Sequence, residues 1–113
     1  MTEQEILEKV IEFQKSQMDF DREIKTLTFV AEGHQAKMRL ALMAKQQKAF
    51  MVFFEQYRRT MKEISDKYKA RIEYLSEVEK IISESFPELS EKIHELRMAH
   101  EKNLNFTQGC ASS

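Results

Sequence analysis

The chain has 113 residues, 42% of them apolar, and 18 Lys and Arg against 19 Asp and Glu, for a formal net charge of −1. That is apolar material for one small core, while near-neutrality argues against a chain devoted to holding a polyanion. Two Gly and one Pro exclude a many-stranded sheet, and no run of about 18 apolar residues or Arg-led apolar leader points to a membrane span or secretory signal, so a cytoplasmic protein is expected.

The fold expected is all-α: three helices, with a long coiled-coil-like central helix on which helices 1 and 3 fold back antiparallel, and two chains forming a dimeric helical bundle. Thr2 and Glu5 have the T-x-x-E spacing of a capping box, which opens the first helix. Ile6, Phe13, Phe20, Leu27 and Ala31 lie on one stripe, and Gly33 then offers a left-handed stop, so the spacing predicts helix 1 over 3–32.

A second stripe runs from Ala36 and Leu40 through Phe50, Phe54, Met61, Tyr68 and Leu75 to Ile82, predicting a central helix over 35–84. Pro87 ends it, Ser85 and Glu88 repeat the capping spacing, and Leu89, Ile93, Leu96 and His100 carry helix 3 over 87–105. One helical domain over 1–106 is expected, with a disordered polar tail over 107–113.

A turn near residue 33 pairs positions whose numbers sum to about 67, bringing Gln17 and Gln47 together as a buried polar layer. A turn near Ser85 gives a sum of about 171 and sets His100 opposite Arg71. Polar layers of this kind fix register at a cost in stability.

Charge divides into blocks. Residues 1–34 hold four basic and eight acidic side chains, 35–72 ten and three, and 73–113 four and eight. The basic centre, with Lys37, Arg39, Lys45 and Lys48 and then the anion-binding candidates Arg58, Arg59, Lys62, Lys67 and Lys69, has the character of a nucleic-acid or anionic-membrane surface. Neutralisation by the acidic first helix is the favoured alternative, which leaves both partners possible but disfavoured.

Six consecutive apolar residues, Ala49 to Phe54, cover a helix all round, so docking helix 1 on Phe50 and Phe54 leaves another face open. Met38, Leu42, Ala49, Val52 and Phe53 are therefore the expected partner or oligomer interface. Glu91 and His94 form E-x-x-H, a half-motif of di-iron bundles, but no carboxylate on the other stripes completes a shell, so no metal is expected and a metal-binding bundle across a dimer is a remote alternative.

His34 is read as a turn residue. Cys110 has no partner for an internal disulfide and no nearby His to activate it, and its C-a-a-X outline lacks an aliphatic residue at Ser112. With no phosphate loop or nucleophile constellation, the chain is expected to be no enzyme, to carry no cofactor and to take no small-molecule substrate. The function expected is that of an adaptor, chaperone or scaffold, a homodimer binding another protein by helix packing.

Overall fold

The structure is a computed structural model and describes residues 1–112; Ser113, the last residue of the expected tail, lies outside the described residues. It is 92% helical, in three helices: α1, Glu3–Met43; α2, Gln47–Ile82; and α3, Pro87–Ser112. They form a rod of 62 × 20 × 17 Å. Among the described residues, no helix is long and apolar enough to cross a membrane.

The first helix begins as its sequence predicts. Thr2 Oγ1 accepts from the Glu5 amide at 3.2 Å, and Glu3 and Glu5 sit in the first turn, where the helix dipole favours carboxylates. It does not end at Gly33. Gly33 has no positive φ, and the helix runs on for ten residues.

A helical Gly costs about 1 kcal/mol relative to Ala, and the burial of Ala31 and Ala41 on either side offsets that. The true stop is a Schellman motif without its usual glycine. The Gln46 amide donates to Ala41 O at 2.8 Å and the Lys45 amide to Leu42 O at 3.1 Å, with Lys45 at φ 56°. A lysine there is strained, so Lys45→Gly is expected to raise stability by about 1 kcal/mol in urea denaturation. A loss would mean that this turn is not the one formed.

The expected central helix over 35–84 is thus corrected: residues 35–43 belong to α1, the longest helix at 41 residues, and α2 holds 36. Both α1 and α3 pack on α2, while no Cα pair between α1 and α3 lies within 8 Å among the described residues. Along the first pair Gln35 meets Tyr57, Glu23 meets Lys67, Phe20 meets Tyr68 and Gln17 meets Arg71. The predicted Gln17–Gln47 layer is overturned, because moving the turn by about twelve residues shifts every partner.

Along the second pair Ser90 meets Glu79, His100 meets Tyr68 and Ala111 meets Arg58, close to the register expected from a turn near Ser85. Helix 3 is longer than its stripe suggests. Thr107 is buried, and Cys110 and Ala111 pack beside Met61, so residues 107–112 are helix and not a disordered tail.

Two apolar clusters fill the rod. Ile6, Phe13, Leu75, Val78, Ile82 and Ile93 form one, and Phe20, Ala31, Met61, Ile64 and Tyr68 the other. Between them lies Arg71, buried and capped by rings.

Candidate functional site

The described part of α3 reaches the level of Arg58 and Tyr57 on α2. Arg58 Nε donates to Ala111 O at 3.1 Å, and Gln35 Nε2 donates to the Tyr57 hydroxyl at 3.3 Å. That hydroxyl is pushed up to about 12 by burial and then by its hydrogen bond with Cys110. Among the described residues, the rod beyond this level consists of the end of α1 and the start of α2, joined by the Lys45 turn.

The row of α2 that meets α3 runs on towards the Lys45 turn. Arg58, Tyr68 and Glu79 touch α3, and Phe54, Met51 and Gln47 precede Arg58 at the same three- and four-residue steps. Phe50 and Phe54 stack at 6.1 Å. Two adjoining hollows open here: one of about 450 Å³ is lined by Ala41, Leu42, Phe50 and Met51, and one of about 190 Å³ by Gln35, Met38, Leu42 and Phe50. Leu42 is 66% exposed and Met51 55%, so this is an apolar groove open to water.

The expected interface residues divide between the two helices. Met38 and Leu42 stand on α1 and line the groove with Phe50. Ala49, Val52 and Phe53 stand on α2; Phe53 lies half-buried beneath the Lys37 ammonium at 5.7 Å, and Val52 is exposed. The single stripe expected of all five required one continuous helix through residue 45, which the turn interrupts.

The basic residues also divide. Of the anion-binding candidates, Arg58 and Arg59 pair with Glu55, Lys62 with Asp66 and Lys67 with Glu23. Lys69 is exposed. Arg39 and Lys45 line the hollows and carry no carboxylate partner among the described residues, giving the groove a basic edge, while Lys37 sits over the Phe53 ring and Lys48 is exposed. Exposed pairs such as these contribute little to stability, but they leave less charge for an outside anion.

The polar layer at mid-rod is enclosed. Arg71 donates to Gln17 Oε1 at 2.7 and 3.0 Å and to Ser16 Oγ at 2.9 Å, with its guanidinium 4.6 Å from the Tyr74 ring centre and within 6 Å of Phe13 and Phe20. His100 lies between the Phe20 and Tyr68 rings, and both its ring nitrogens are buried without a hydrogen-bond partner. Burial, and secondarily the Arg71 charge, lowers its pKa from 6.5 despite the opposing pull of Asp21. Arg71 borders a shallow hollow with Asp19, Glu23, Lys67 and Tyr74, but both it and His100 are buried and packed on aromatic rings, so they hold the rod's register.

Glu91 is not what His94 engages. Arg97 Nη2 donates to His94 Nδ1 at 2.9 Å, and Arg97 Nε donates to Glu79 at 3.2 Å, tying α3 to α2. Among the described residues no group of three or more His, Cys, Asp or Glu is placed to hold a metal ion. His34, expected as a turn residue, instead lies half-buried inside α1, because the helix passes through Gly33.

Two features escaped the sequence reading. The groove's α2 wall was visible as the Gln47, Met51, Phe54 row, but only once helix 1 supplies Leu42 from across a turn. The outer side of α1 carries exposed Leu7, Met18, Phe29 and Leu40, whose eleven-residue spacing is a readable signal. No family model matches this sequence, and neither a curated protein nor a solved structure is similar to it.

Proposed function

We propose that the protein is a non-enzymatic interaction module of adaptor, chaperone or scaffold type, which takes an acidic amphipathic helix of another protein into the groove beside the Lys45 turn. In this reading the three helices run antiparallel in turn, and the partner helix lies along the end of α1 and the start of α2. The observation that carries it is the open apolar groove lined by Met51, Leu42 and Phe50, with Arg39 and Lys45 on its edge.

Helix-in-groove recognition needs an apolar trough for residues at i, i+3, i+4 and i+7, and the basic rim selects acidic flanks. A second copy seated here would set two basic rims against each other, so a different protein is the better occupant. The nucleic-acid and anionic-membrane readings use the same end of the rod, and the ion pairs of Arg58, Arg59, Lys62 and Lys67 weigh against them.

Two synthetic amphipathic helices of about 18 residues, alike in their Leu and Phe face but with Glu or Lys opposite it, test the reading by NMR titration. The Glu peptide is expected to shift resonances of residues 35–54, and Phe50→Glu to abolish the shifts. Equal binding of the Lys peptide, or shifts elsewhere on the rod, would refute it.

A further inference from the structure

We infer that the outer face of α1 is a self-association surface, on which two copies lie side by side and antiparallel. This surface is distinct from the groove. Leu7, Ile11, Met18, Phe29, Leu40 and Met43 are 40, 52, 65, 77, 65 and 80% exposed. At 100° per residue they fall within about 40° of one line, opposite the buried row of Ile6, Phe13, Phe20 and Ala31.

Leu7, Met18, Phe29 and Leu40 are each eleven residues apart, a spacing that returns to one face of a nearly straight helix after three turns. α1 is therefore apolar on two opposite sides, and α2 covers one. At roughly 200 Å² for a fully exposed side chain of this size, the six present on the order of 700 Å², close to the ~800 Å² per partner that a specific interface buries.

The order of these residues selects a second copy. Read about Lys25, the two ends of the row pair with each other: Leu7 falls opposite Met43 and Ile11 within one residue of Leu40, while Phe29 falls opposite Asp21 and Met18 opposite Glu32, in the gap between Phe29 and Gly33. Nothing lies within 4 Å of where a Gly33 side chain would begin, so that gap is open to a Met18 from outside. A two-fold contact between antiparallel helices requires this kind of self-complementary row.

Charge selects the same direction. Phe20, Tyr68 and His100 meet at one level of the rod. On one side of it, residues 1–21 and 70–98 hold six basic and thirteen acidic side chains, net −7; on the other, residues 22–69 and 99–112 hold twelve and six, net +6. Two rods side by side in parallel set like ends together, while antiparallel they set each acidic end against a basic one.

The two-fold centre is the contact's weak point, since Arg22 and Lys25 of both copies converge there. Asp19 already pairs with Arg22 at 3.6 Å, and Asp21 stands one turn before Lys25. Lys25 therefore supplies a test of opposite sign to the usual disruptive variant.

Sedimentation equilibrium of the full chain is expected to give a dimer that weakens with added salt. Phe29→Lys should weaken it at least tenfold with the helical circular dichroism unchanged, and Lys25→Leu should tighten it by about tenfold. In a Cys110→Ser background, a mixture of Leu7→Cys and Met43→Cys chains should form the mixed disulfide, and Leu7→Cys alone should form none.

A wild-type monomer at all concentrations, a dimer indifferent to both substitutions, or a Leu7→Cys homodisulfide would overturn the proposal. Phe50→Glu, which removes the groove, is expected to leave the dimer intact. The two surfaces thus fail separately.

Discussion

Leu75→Ala is expected to lower the free energy of unfolding by about 4 kcal/mol, near the upper end of the range for deleting a buried leucine. Leu75 is fully buried, as are Val78 and Ile82, and Ile93 faces them from α3. A cavity there closes poorly. Arg71 lies one turn before Leu75 and is held by Gln17 and Ser16, so the polar layer cannot slide in to fill the space.

Small domains are stable by about 5–15 kcal/mol, so the loss is a large fraction of the whole. Leu42→Ala, at a residue open to water, should change stability by less than about 0.5 kcal/mol. Urea denaturation at one fixed protein concentration, which removes any contribution of self-association, measures both. Equal effects of the two substitutions would show that the core is not where Leu75 places it.

How much of this rod is readable in the chain depends on which physical signal marks each feature. Pro87 cannot be a helix interior residue, and so α3 begins where it does and meets α2 near its expected register. The stripe from Met61 through Ile64, Tyr68 and Leu75 to Ile82 is likewise legible, because α1 and α3 both bury it.

The first turn is not legible. Gly33 has the chemistry of a stop but a helical place, whereas Lys45 takes the left-handed conformation that lysine disfavours and Gln46 starts α2 without a side-chain cap. Tertiary packing of Ala41 decides the matter against local propensity. That misplaced turn propagates: it moves each α1 partner along α2, turns an expected glutamine layer into an arginine layer, and divides the expected interface between two helices.

The end of α3 fails for a related reason. Its composition, with Gly109 and two serines, reads as a tail, but Tyr57 and Met61 offer Cys110 and Ala111 apolar surface that the local sequence cannot reveal. Packing against distant residues is invisible to composition.

Arg71→Ala is expected to cost at least about 3 kcal/mol, while Arg71→Met costs much less and can even stabilise. The contrast follows from what each change leaves behind. Alanine removes four hydrogen bonds to Gln17, Ser16 and Phe13 O, and opens a void between three aromatic rings. Methionine keeps the stem packed on those rings and removes a desolvated charge that no carboxylate pairs.

The same substitution has a pH signature, because Arg71 is one reason that His100 resists protonation. In the folded chain the His100 pKa lies below 6.5, while the unfolded chain protonates near that value. Above about pH 6.5 both states are neutral at this site and nothing is lost. As pH falls through 6.5 the unfolded chain binds a proton that the folded one refuses, so stability drops until the depressed folded pKa is reached.

Arg71→Met should raise the folded pKa towards 6.5, though burial keeps it below, and so flatten the acid slope. An NMR titration of the His100 ring, alongside urea melts from pH 7.5 to 5, reads both quantities. If the ring titrates normally in the wild type, or if Arg71→Met falls as far as Arg71→Ala, the buried layer is not held as the geometry requires. If both effects appear together, the layer carries a uniquely placed charge whose benefit is register: it tells α1 and α3 where on α2 to lie.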